Sequence, residues 1–415
     1  MPTPPVSRRG RALLDAPAMP PYLLEHFARS EYPYDPETAP DGYIPFCIAE
    51  NKLVWDLLEP KLNAPRGVEA PALGYADMIG PQAFRADLAA FLGTHVLGRP
   101  VAPEHVATLA GAGSILEVLF YALADAGEGV LVPTPSYAGF WMDLEGRDGL
   151  SVIPVHATDD TAWQVTPALL DAALEQADVP VRALLFTTPN NPLGTVYTPE
   201  QLEAILTWAE RRGVHVVFDE VYALSVFGDT PFTSVASLRE RLGSHVHIVW
   251  AFSKDFAASG LRVGVLVSEN EAVLGVMNSL AYWAACSGDT LHLVRQLVTD
   301  EAWLARYVEG MRSRLGEARR RVEAMLDASG LPYVAGEAAF FVLVDLRAYL
   351  DAPTWEAEDA LWRRLLEANV NLTPGSAIRA VEPGLFRLCF ASVPAATLHV
   401  GLQRMVEVLR SVSRS

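Results

Sequence analysis

The chain has 415 residues, is 51% apolar, and carries 32 Lys and Arg against 50 Asp and Glu, for a net charge of −18. That length exceeds one ordinary domain and the apolar fraction supports a large core, while so acidic a surface repels nucleic acid and anionic membranes. The three cysteines, Cys47, Cys286 and Cys389, have no spacing that would hold zinc or form a redox pair, so free buried thiols in a reducing cytoplasm are expected. The start, M-P-T-P-P-V-S-R-R-G-R, is basic and Pro-rich with no apolar segment behind it, so no signal peptide is expected. No apolar run approaches the roughly 20 residues needed to cross a bilayer, and a soluble protein is expected.

Residues 1 to about 45 hold P-P-Y and E-Y-P-Y-D-P and read as an arm that wraps over the rest. Phe84, Leu88 and Phe91 repeat at helical spacing within 81–91, and 113–123 reads as a second helix opened by the small-residue turn G-A-G-S. The pattern then alternates. Strands are expected at 130–133, 151–155, 182–188, 214–219, 246–251 and 261–267, with helices at 137–144, 167–176 and 200–212. Strands alternating with helices imply crossover connections and an α/β fold with a doubly wound, mostly parallel sheet. Beyond Glu269 one long helical tract is expected to about Gly330. Segments 333–346, 359–368, 371–373, 385–392 and 395–409 then suggest a smaller α+β unit. The expected organisation is an N-terminal arm and part of a small domain at 1–75, a large domain at 76–300, and the rest of the small domain at 301–415.

The chemistry centres on 252–264, F-S-K-D-F-A-A-S-G-L-R-V-G, where Lys254 falls in a turn between two apolar strand-like runs. Ser253 precedes it, and Arg262 follows between Gly260 and Gly264, which let backbone approach a ligand closely. An amine, a hydroxyl and a guanidinium converging on one point suit an aldehyde cofactor that carries a phosphate. The segment resembles the cofactor-lysine segment of pyridoxal-phosphate enzymes of the aspartate aminotransferase fold, and its S-K-D with G-x-R-x-G is similar to the 1-aminocyclopropane-1-carboxylate synthase branch.

That resemblance implies pyridoxal 5'-phosphate bound covalently at Lys254, and three further demands on the chain. An acid must keep the pyridine nitrogen protonated, and Asp219 closes the strand V-H-V-V-F-D where open α/β sheets bind ligands. Donors must face the ring oxygen. Tyr222, in D-E-V-Y, and Asn191, in T-T-P-N-N-P-L-G-T, match the family's positions, with Thr188 where the first Asn is usual. The phosphate cup combines Gly113 and Ser114 at a helix start with Ser253 and Arg262. Tyr75, five residues before Gly80, resembles the tyrosine that reaches the phosphate from a partner subunit, although the synthase branch more often places it where Met78 stands. If Tyr75 reaches across, the active unit is a homodimer. Tyr137, in P-T-P-S-Y-A-G-F, matches the aromatic stacked on the ring, and Arg387, in E-P-G-L-F-R-L-C-F-A, matches the arginine that grips the substrate carboxylate.

The stretch I-P-F-C-I-A-E-N-K-L at 44–53 resembles the A-E-N-Q segment of the synthases, with Lys52 in place of Gln. Ala49 and Glu50 are therefore expected at the substrate. Glu50 would face a sulfonium rather than pair with Lys52 on the surface. The resemblance implies S-adenosylmethionine as substrate, with loss of methylthioadenosine from Cγ and either ring closure or trapping by a second small molecule. The alternative is an aminotransferase that uses the same cofactor residues. No metal site is expected: His245 and His247 share a strand face without a carboxylate at ligand spacing.

Overall fold

A computed structural model describes residues 6–15, 19–68 and 70–412. The first five residues of the expected arm and its residues 16–18 lie outside the described residues. Among the described residues eleven strands form: β1 (Ile44–Pro45), β2 (Val106–Leu109), β3 (Gly129–Thr134), β4 (Ser151–His156), β5 (Val181–Thr187), β6 (His215–Asp219), β7 (Val246–Ala251), β8 (Gly264–Ser268), β9 (Phe341–Asp345), β10 (Val370–Asn371) and β11 (Leu385–Cys389). Seven make one sheet in the order β2-β8-β7-β6-β5-β3-β4, in which β8 alone runs against its neighbours.

Near-continuous Val, Leu, Ile and Phe runs are what a sheet covered on both faces requires. Alternate residues serve opposite cores. Val216 and Phe218 of β6, with Ile248 and Trp250 of β7, pack on one side, and Val217 and Val249 pack on the other. The covering helices start and stop where local chemistry dictates. Pro199–Arg212 opens with a Thr198–Gln201 capping box and a proline in its first turn, and it ends at Gly213 in the left-handed conformation.

The rest of the chain builds two smaller ladders. β1 pairs in parallel with β10, and β11 pairs antiparallel with β9, so the N-terminal segment and the C-terminal strands share one region. Three expectations need correction. The strand expected at 261–267 begins only at Gly264, because Ser259–Leu261 forms a 3-10 turn and Arg262 takes a left-handed φ of 52°. The helix expected from Tyr137 begins at Phe140. The single helical tract is three helices, Glu271–Leu280, Gly288–Thr299 and Glu301–Ala328, with capping Ser287 and Asp300 opening the second and third. The arm also carries short helices at Arg8–Asp15, Pro21–Arg29 and Trp55–Leu62.

Candidate active site

The carboxyl ends of β5, β6 and β7 lie side by side, since Thr187 is in register with Asp219 and Asp219 with Val249. Each strand therefore releases its functional loop at the same edge of the sheet. A cavity of about 260 Å³ opens there, lined among others by Gly113, Tyr137, Asn191, Asp219, Tyr222, Ser253, Lys254 and Arg262. Eight residues from five separated stretches of sequence thus meet in one place.

Lys254 sits in the short helical turn Phe252–Asp255 and donates from Nζ to the carbonyl of Ala49 at 2.7 Å. Burial, followed by the Arg387 charge, lowers its pKa to about 8, so a substantial fraction of the amine is neutral near physiological pH. Asp219 is buried, and burial raises its carboxyl to about 7 against the pull of the Val221 N–H and Lys254. Asn191 Nδ2 donates to the Tyr222 hydroxyl at 3.4 Å, and burial raises the pKa of Tyr222 well above the usual phenol value, so it is a donor at any working pH.

Arg387, on β11, is fully buried. Its NH1 donates to Asn191 Oδ1 at 3.2 Å, and its NH2 donates to the Cys47 carbonyl at 2.7 Å and to Thr373 Oγ1 at 3.0 Å. The guanidinium lies 4.7 Å from the centre of the Phe341 ring. Nε is buried with no hydrogen-bond partner, and no carboxylate pairs with the group among the described residues. An unneutralised buried cation with a spare donor is costly unless an anionic ligand completes it. Arg387 thus brings a buried positive charge with one free donor to the neighbourhood of Asn191.

Arg387 reaches the cavity through Asn191 and is not itself among its lining residues, whereas the wall formed by Ala112, Gly113 and Arg262 suits a phosphate. Gly111, with φ 96°, precedes the helix Ala112–Leu123, whose first residues, Ala112 and Gly113, line the cavity. A Cβ on Gly111 would lie 2.1 Å from Arg262 NH2, and one on Gly264 would lie 2.4 Å from the Gly111 backbone. Only glycine leaves room for the guanidinium at the helix start. Tyr137 folds its ring over Gly139, where a Cβ would come within 2.4 Å, and meets Phe140 edge to face.

Two expected residues, Ser114 and Glu50, sit differently, and Tyr75 stands outside its own chain's cavity, where a residue meant for a partner subunit would be. Ser114 donates its hydroxyl to the Ala110 carbonyl at 3.2 Å and does not line the cavity. Tyr75 is fully exposed and has no role in the site of its own chain. Glu50 is half-exposed and pairs with Lys52 at 3.5 Å, so the surface ion pair that the sequence reading ranked lower is the one formed. The flanking apolar residues pack inward while residues 50 and 52 of the loop stay at the surface. Ala49 meets the site through its carbonyl, which accepts from Lys254 Nζ. Sequence reasoning missed Asp143, Thr187 and Ser259, which line the cavity, and the Cys47 carbonyl and Thr373 that seat Arg387. No residue type or spacing marks a backbone carbonyl in advance. Cys47 and Cys389 are buried free thiols as expected, and Cys286 is half-buried. No metal-binding cluster occurs among the described residues.

The chain matches the family model described as aminotransferase class I and II over residues 50–405. It belongs to that family. The aminotransferase-family chain is 37% identical to 1-aminocyclopropane-1-carboxylate synthase 4 of Oryza sativa, over 93% of this chain and 86% of that protein. It is 33% identical to the 1-aminocyclopropane-1-carboxylate synthase of Malus domestica, over 92% and 86%. An aspartate aminotransferase double mutant from Thermus thermophilus shares the fold with a TM-score of 0.82 at 23% identity, covering 98% of this chain and all of that one. The protein is a fold-type I pyridoxal-phosphate enzyme with the aspartate aminotransferase-like architecture. The residues present fit the cofactor: a buried amine of lowered pKa, a buried acid at the strand end, and a glycine cradle against Arg262.

Proposed function

We propose that this enzyme acts on S-adenosylmethionine, removing the Cα proton and releasing methylthioadenosine from Cγ. The observation that carries the reading is the 37% identity to a 1-aminocyclopropane-1-carboxylate synthase across 93% of the chain, joined to a site whose one buried, unneutralised guanidinium suits an amino-acid carboxylate. Arg387 holds that carboxylate and thereby orients Cα. Lys254 Nζ, with its pKa near 8, takes the Cα proton. When bound, the cofactor supplies an electron sink for the charge left at Cα. Asp219 holds the proton on the ring nitrogen, and Tyr222 and Asn191 hold the ring oxygen. The electrons of the Cα–H bond close a Cα–Cγ bond; alternatively, a second small molecule supplies the pair that bonds to Cγ and Lys254 returns the proton to Cα. The Cγ–S pair leaves with sulfur and neutralises the sulfonium.

One observation favours a second reading. The Glu50–Lys52 pair already occupies the carboxylate that a sulfonium would use, and an aminotransferase needs no such group. The two separate in one assay. Methylthioadenosine forms from S-adenosylmethionine under the first reading. Under the second it does not, and amino acids with 2-oxoglutarate give glutamate.

The same reading extends to the assembly. The exposed Leu73, Tyr75, Tyr282 and Trp283 flank the phosphate end of the cavity: the 281–284 turn hydrogen-bonds Ala110 beside Gly111, and Ala72 abuts Gly288. Such a patch supports a homodimer in which Tyr75 completes the partner's phosphate cup. Residues 76–300 would then act as the cofactor unit, and 1–75 with 301–415 as the smaller one that closes on the substrate.

A further inference from the structure

Asp255 follows Lys254 directly, yet its carboxyl points away from the cavity into the protein. It is wholly buried. Oδ2 accepts from the Leu224 backbone N–H at 3.0 Å and from Trp250 Nε1 at 2.9 Å, and Oδ1 accepts from the Ser225 hydroxyl at 2.7 Å. Leu224 and Ser225 stand two and three residues beyond Tyr222, on the loop that leaves β6. Trp250 lies on β7. The backbone carbonyl of Asp255 accepts from the Tyr307 hydroxyl at 3.1 Å, and Arg312 Nε, on the same long helix, donates to the Leu224 carbonyl at 2.8 Å. One side chain therefore ties the lysine turn to the tyrosine loop, and the helix Glu301–Ala328 pins both from behind.

We propose that Asp255 is a positioning residue that fixes the Tyr222 phenol relative to the Lys254 amine, and so sets the electronics of the cofactor bound between them. No other side-chain hydrogen bond among the described residues joins the 222–225 loop to the 252–255 turn. Burial pushes the carboxyl up to about 7, while the Leu224, Trp250 and Ser225 donors and the Arg312 charge pull it down. The assembly is a clamp of three donors on one acceptor group, and removing the acceptor strands all three in the core.

The inference rests on the cofactor reading and not on the choice of substrate. Asp255→Asn keeps the shape, leaves one oxygen for the two N–H donors, and offers an amide to Ser225. Asp255→Ala removes the clamp. The test is the pH titration of the visible absorbance band of the holoenzyme, recorded with the cofactor dissociation constant and the melting temperature. A displaced Tyr222 no longer stabilises the deprotonated form, so the band midpoint of Asp255→Ala rises by about one pH unit, the worth of roughly one hydrogen bond. Asp255→Asn keeps the wild-type midpoint. Ser225→Ala, which deletes one of the three bonds and is the milder change, moves the midpoint in the same direction by less. A lower melting temperature with an unchanged midpoint in Asp255→Ala, or in Ser225→Ala should the first variant not fold, makes the residue merely structural and overturns the inference. A wild-type protein with no visible band overturns the cofactor reading and this inference with it.

Discussion

Arg387 shows how a single buried charge can carry specificity. Its guanidinium donates to Asn191, Cys47 and Thr373 and keeps Nε in reserve. Arg387→Ala should lower kcat/KM for an amino-acid substrate by about 100- to 1000-fold, most of it in KM, because the interaction holds substrate and transition state alike. Steady-state kinetics check this. Gly111 makes the complementary case at the phosphate end. Gly111→Ala forces a methyl into Arg262 at a backbone angle that L residues avoid, so cofactor affinity should fall by about 2 kcal/mol, a roughly 30-fold rise in the dissociation constant. Titration of the cofactor-free variant by absorbance measures it. Both residues differ in how far the sequence announced them. Arg387 stood out in the sequence because a guanidinium inside an apolar strand needs acceptors, and the structure shows it buried with three neutral ones. The Gly111–Arg262 contact did not, because 150 residues of intervening chain separate the two and only the fold brings them together. Glu50 stands half-exposed beside Lys52, a pairing the flanking apolar residues did not announce, while its charge still acts on Lys254.

Among elements, β6 and β7 do the most. Their apolar runs were plain in the sequence, and so was the acid that closes one and the lysine that follows the other. At the opposite end of these strands His215 Nδ1 meets His247 Nε2 at 3.1 Å, His247 Nδ1 meets Ser268 Oγ at 2.9 Å, and the His245 ring packs 5.3 Å from that of His215. Burial, then the His215 and His245 charges, lowers the pKa of His247 to about 3. An unfolded histidine takes its proton near pH 6.5, so the unfolded chain binds more protons between about 3 and 6.5. The stability of the native chain is therefore full above pH 6.5 and falls as the pH drops. From this residue alone the loss should reach about 2 kcal/mol at pH 5. Thermal melts at pH 7 and pH 5 test it, with His247→Gln expected to flatten the difference. Helix boundaries were less legible than strands. The tract beyond Glu269 keeps an apolar period throughout, and only Ser287 and Asp300, as caps, divide it.

At the scale of the whole molecule, an acidic chain leaves Leu73, Tyr75, Tyr282 and Trp283 exposed, and the turn that carries the last two hydrogen-bonds the chain beside Gly111. Trp283→Asp should turn a dimer into monomers in analytical ultracentrifugation and weaken cofactor binding at the same time, because the exposed turn that carries Trp283 hydrogen-bonds the chain beside Gly111. Loss of dimer without loss of cofactor affinity would show that the two sites of a pair are independent. The account as a whole depends on one covalent attachment. Reduction of the holoenzyme with borohydride, followed by peptide mass mapping, should place the pyridoxyl group on Lys254 and leave Lys254→Ala unlabelled and inactive. A label on any other lysine, or turnover retained by Lys254→Ala, would contradict it.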